Sequence, residues 1–97
     1  MNEQDYMSFL LALGEALCET LSTVVGDEAV VPQDGYEVFY QAFNQNPSPI
    51  RLAALTEADL AQLCSTCKDY FECQNVTTSH MHSVVSQTLV RWPANCA

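Results

Sequence analysis

Three cysteines and two histidines fall within nineteen positions of the C-terminal half: Cys64, Cys67, Cys73, His80 and His82. A Cys-x-x-Cys pair can present two thiolates to one zinc ion, and the remaining thiol with one imidazole would complete four ligands. A second chemistry is packing. Cys64 and Cys67 continue an apolar row of helical spacing, Leu60, Leu63, Cys64, Cys67, Phe71, and a reduced cysteine behaves as a small hydrophobe that is usually buried. No Gly or Pro shapes a tight metal-holding turn around the pair, so packing is the preferred reading and the zinc site the alternative. No cofactor is expected otherwise.

Redox and covalent chemistry find less support. A thioredoxin-type pair needs its first thiol at a helix N-terminus in a βαβ context, and neither is foreseen. Cys73 with a nearby histidine has the elements of a nucleophile and base. No glycine-rich phosphate loop, oxyanion-hole pattern or organised acid pair accompanies them, and catalytic residues are therefore not assigned. The expectation is a protein that is not an enzyme.

The charge pattern points to another kind of activity. Twelve acids against three bases give a formal charge of −9. Residues 1–50 hold Glu3, Asp5, Glu15, Glu19, Asp27, Glu28, Asp34 and Glu37 with no Lys or Arg, whereas Arg51, Lys68 and Arg91 all follow. Such a half repels phosphate, which argues against direct binding of nucleic acid or an anionic membrane and favours a basic protein surface. Solubility is the simpler use of the same acids. Glu15, Glu19, Asp34 and Glu37, with the aromatic neighbours Tyr36 and Tyr40, are the candidate partner-binding residues. Small acidic inhibitors carried by phages and other mobile elements, anti-CRISPR proteins among them, occupy nucleic-acid grooves in this way. That analogy rests on charge and size alone.

These residues must be carried by helices. Tyr6, Leu10, Leu13, Leu17, Leu21 and Val24 recur at spacings of three and four, the pattern of one apolar helix face. Asn2 suits the N-cap, Gly14 a packing position and Gly26 the stop. After a linker, Asp34 and Glu37 have the form of a capping box opening a short aromatic helix with Tyr36, Phe39, Tyr40 and Phe43, and Gly35 reads as a turn. Pro49 opens one or two further turns, and Thr56 starts a third major helix. A polar connector from Glu72 to Ser79 precedes a last helix with Met81, Val84, Val85, Leu89 and Trp92, ending before Pro93.

No strand-like alternation or internal repeat competes. The expectation is an all-α compact bundle of four to five helices, with 1–97 forming a single helical domain. No stretch is expected to be long and apolar enough to span a bilayer, and the acidic N-terminus lacks the form of an export signal. A reducing cytoplasmic location follows, with five cysteines, an odd number, fitting a closed disulfide framework poorly. A further alternative is a secreted, disulfide-stapled helical binding protein, for which Asn75-Val76-Thr77 would be a glycan acceptor. The aliphatic first helix also suits a homodimer.

Overall fold

The computed structural model describes residues 3–26 and 30–94. Among the described residues five helices follow one another: α1 (Glu3–Val25), α2 (Pro32–Phe43), α3 (Pro49–Ala53), α4 (Glu57–Phe71) and α5 (Thr78–Ala94). Among the described residues no strand forms, and the expected all-α bundle is the fold. Asn2, residues 27–29, the Trp92 side chain and Cys96 lie outside the described residues.

Helix α1 is the spine, because it packs against α2 on one side and α5 on the other. Two neighbours require a wider buried face than one stripe. Phe9, Leu13, Ala16, Leu17 and Leu21 are therefore fully buried, while Tyr6, Leu10 and Val24 from the expected stripe are only partly covered. At 23 residues α1 is also long and apolar enough to cross a bilayer, which corrects the expectation that no such stretch exists. In the bundle the same side chains fill the core.

Helix α2 reaches α1 through a glycine contact. A Cβ placed on Gly35 would come within 2.5 Å of Gly14 Cα, and one placed on Gly14 would meet the Pro32 carbonyl carbon at 2.8 Å. The two backbones touch there. Gly35 lies inside α2 rather than in a turn, because the crossing leaves no room for a side chain. Gly26 has φ +92 just beyond α1, the left-handed C-terminal position that glycine takes at least cost.

The start of α2 also moves. Val31 is the N-cap and Pro32 the first helical residue, a position that tolerates proline because its missing N–H would have no intrahelical partner. Asp34 is thus the third residue of the helix. Its carboxylate reaches back to accept from the Val31 N–H at 2.9 Å, so the expected capping box beginning at Asp34 is displaced by three residues. The start of α4 matches its expectation: Thr56 Oγ1 accepts from Asp59 N–H at 3.2 Å, and Asp59 Oδ2 accepts from Thr56 N–H at 3.0 Å. Such a reciprocal cap satisfies two otherwise orphaned donors.

Helix α4 packs on α2 and α5, and the short α3 rests on α5. The shared core adds Val38, Phe39, Leu52, Leu63, Cys67, Met81 and Val84 to the α1 residues. Thr88, fully buried in α5, satisfies its hydroxyl by donating to Val84 O at 2.7 Å.

Candidate docking surface

The cysteines and histidines do not assemble. Cys64 is buried and its thiol points at Val76 O, 3.3 Å away. The Cys73 thiol lies 3.6 Å from Val24 O, and Cys67 is fully buried in the core. His80 turns its Nδ1 to accept from the Thr77 N–H at 2.9 Å, while Thr77 Oγ1 accepts from the His80 N–H at 3.3 Å. That histidine caps the start of α5.

His82 is exposed and borders a wide depression with Glu57, Leu60, Thr78 and Ser79. No group of three metal-ligating side chains occurs among the described residues. The structure does not gather Cys64, Cys67, Cys73 and His80 or His82 around one point. The physical reason is helical spacing: it directs Cys64 and Cys67 into the bundle, where carbonyls and apolar side chains surround them.

Burial governs the thiol chemistry as well. Desolvation first, then the neighbouring Cys64, Cys73 and Asp34, pushes the Cys67 pKa up from 9.0 to about 12, so Cys67 stays a neutral thiol. Cys18 is also raised, mainly by burial and next by Asp34, Glu15 and Glu19. Cys18, Cys64, Cys67 and Cys73 are all unbridged, and no disulfide joins the described residues.

The acidic candidates divide into three groups. Asp34 is 7% exposed and both its oxygens are occupied, Oδ2 by Val31 N–H and Oδ1 by the Tyr70 hydroxyl at 2.6 Å. Its carboxylate joins α2 to α4 and is withdrawn from the docking set. Glu15 and Glu19 remain more than half exposed but share a counter-ion from α5. Arg91 lies 3.8 Å from Glu15 and closer still to Glu19.

Glu37 is half-buried and accepts from Gln41 Nε2 at 3.4 Å. Of the aromatic residues expected to dock, Tyr40 is 43% exposed and Tyr36 is partly buried. Phe39 is buried in the core and Phe43, partly buried, packs against it, their rings 6.5 Å apart.

Both arginines are thus engaged within the chain. Arg51 stacks 4.2 Å above the Phe43 ring and meets Asp59 at 3.3 Å, a cation held by one aromatic face and one carboxylate. The outward acids Glu3, Glu57, Asp69 and Glu72 are exposed.

Among the exposed apolar residues absent from the sequence expectations, which include Ile50 and Val90, two lie one turn apart on one helix. Met7 is 59% and Leu11 56% exposed on α1. Leu11 shares a groove of about 340 Å³ with Met7, Leu10, Pro32, Gln33 and Tyr36 between α1 and α2. Their signal was present in the sequence as the row Glu3, Met7, Leu11, Glu15, Glu19 at intervals of four. It was hidden by the stronger stripe alongside it.

Comparison with known proteins finds no matching family model, no matching curated protein and no matching solved structure.

Proposed function

We propose that the chain is a non-enzymatic interaction protein that works in a reducing cytoplasm, as an inhibitor or adaptor docking on a basic, nucleic-acid-binding surface of a partner protein. The observation that carries this reading is the disposition of charge. Arg51 is engaged by Asp59, and Arg91 by Glu15 and Glu19, while Glu3, Glu57, Asp69 and Glu72 face solvent. Internal pairing spends the arginines of a chain already at −9. The remaining field attracts Lys and Arg side chains and repels phosphate.

Glu15, Glu19, Tyr36, Glu37 and Tyr40 supply the contacts, with the acids steering approach and the tyrosines adding rigid area at low entropic cost. A partner that binds nucleic acid through a Lys/Arg groove offers the complementary charge.

The test uses the immobilised chain and a pool of proteins that heparin retains from a cell extract. Capture is expected at about 50 mM salt and release at about 500 mM, where screening is nearly complete, and competing DNA should displace the captured protein. Capture that ignores both salt and the reversal of Glu15 and Glu37 to Lys would defeat the reading. Circular dichroism of the reversed variant establishes that it still folds.

A further inference from the structure

Helix α1 carries a row of side chains that the bundle leaves outside. Glu3, Met7, Leu11, Glu15 and Glu19 follow one another at intervals of four, and all five are exposed. Residues at that spacing form a ridge on a helix surface. The ridge is apolar at its centre and acidic at each end. About 18 Å separates Glu3 from Glu15 along the axis, at 1.5 Å per residue.

A furrow runs on each side of the ridge. Toward α2 it is the groove of about 340 Å³ lined by Leu10, Pro32, Gln33 and Tyr36. Toward α5 a second hollow of about 300 Å³ is lined by Ser8, Ala12, Glu15 and Arg91. Leu11 borders both. A ridge between two furrows is the relief into which another helix packs its own rows of side chains.

Charge decides which helix fits. Residues 1–50 contain no Lys or Arg, and Arg91, beside the ridge, is engaged by Glu15 and Glu19. A second copy laid antiparallel through this ridge sets Glu3 against Glu15, and a parallel copy sets each acid against itself. Both arrangements place like charges opposite one another, a repulsion that the single Arg91, already shared by Glu15 and Glu19, offsets only in part. An apolar stripe with basic ends meets no such conflict.

We infer that the Met7–Leu11 ridge and its α2 furrow are a docking site for an amphipathic helix of a different protein. That helix carries two apolar side chains one turn apart and a Lys or Arg about one turn beyond each. Met7 and Leu11 supply the apolar contact, Tyr36 closes the furrow wall, and Glu3 and Glu15 select the basic ends. This inference rests on the proposed docking to a basic partner and names the place and the shape of the contact.

The probe is a fluorescein-labelled synthetic helix with two leucines one turn apart and a lysine one turn beyond each. A control peptide has the same composition with those four residues dispersed around the helix. Anisotropy titrations compare the two peptides on the wild-type protein, on Met7→Gln/Leu11→Gln and on Glu3→Gln/Glu15→Gln. All substituted side chains are exposed, and circular dichroism checks that each variant keeps its helices.

The patterned peptide is expected to bind the wild type at least about tenfold more tightly than the control, as apolar anchoring requires. Met7→Gln/Leu11→Gln should erase that difference while leaving the weak control binding unchanged. Glu3→Gln/Glu15→Gln should weaken the patterned peptide and flatten its salt dependence. Equal, salt-sensitive binding of both peptides overturns the ridge as the site but leaves the acidic docking reading intact. Binding of neither peptide overturns both. A dimer in sedimentation velocity that Met7→Gln/Leu11→Gln dissociates assigns the ridge to a second copy and overturns the inference.

Discussion

The Tyr70 hydroxyl of α4 donates to Asp34 Oδ1 of α2 across 2.6 Å, and the carboxylate it meets is nearly sealed from solvent. Asp34 therefore performs two tasks. It caps its own helix through Val31 N–H and ties that helix to α4. A buried carboxylate short of a donor is costly, so the hydroxyl matters more than a surface hydrogen bond does.

Removing that donor gives the first prediction. Tyr70→Phe should lower stability by roughly 1–3 kcal/mol, the cost of stranding one oxygen of a buried acid, measured by urea unfolding at neutral pH. The bond to Asp34, followed by burial and the charges of Asp34 and Glu37, raises the Tyr70 pKa from 10.0 to about 12. The folded state thus holds its proton more tightly than the unfolded chain. The contribution is complete below pH 10 and is lost as pH climbs through 12. Cys67 adds a parallel loss starting near its ordinary 9.0, so Tyr70→Phe should show a shallower alkaline decline that is not flat. An identical decline in both proteins would refute the Asp34 bond as its source.

A second prediction concerns Gly35. Alanine is the better helix former by about 0.8–1 kcal/mol at an open position. At Gly35 its methyl would fall 2.5 Å from Gly14 Cα, and only movement of a backbone could relieve it. Gly35→Ala should therefore destabilise by about 1–3 kcal/mol despite its propensity, as overpacked sites do. Thermal melts of Gly35→Ala and Gly14→Ala test this, and a rise in Tm for either would show that α1 and α2 can separate freely.

The third prediction follows from Arg91. Its pairs with Glu15 and Glu19 are exposed, so Arg91→Gln should cost less than about 1 kcal/mol. Two glutamates one turn apart are then left to repel each other by about 0.2–0.5 kcal/mol. Added salt should consequently raise the Tm of Arg91→Gln more than that of the wild type. Equal salt responses would mean that the arginine does not neutralise the pair.

Most helix bounds were legible in the sequence because apolar spacing, prolines and caps agreed, although α5 runs past the expected stop before Pro93 to Ala94. Thr56 with Asp59, Pro49, and the stop at Gly26 all stand where local chemistry puts them. The same reading misplaced Asp34. From sequence, Asp34 and Glu37 resemble a cap and its partner, and only the approach of Tyr70, 36 residues away, gives Asp34 a different role. Gly35 looked like a turn for a similar reason, since a close helix crossing and a bend make the same demand for a missing side chain. Arg91 reaching Glu19 across 72 positions is another tertiary fact, invisible to any window along one helix. The cysteine pattern was ambiguous at the level of spacing. The direction of the helix face decided it.

The placement of α1 between α2 and α5 also divides the folding reaction in time. Its contact with α2 joins neighbours in sequence, so the loop to be closed is short and its entropy cost small. Contact with α5 brings Thr20 against Gln87 and Glu19 against Arg91, separations of 67 and 72 residues. An early α1–α2 hairpin with a later arrival of α5 is the order that chain entropy favours. In that order of events the face of α1 that α5 covers would stay open to solvent until α5 docks, and would be a site of association during folding.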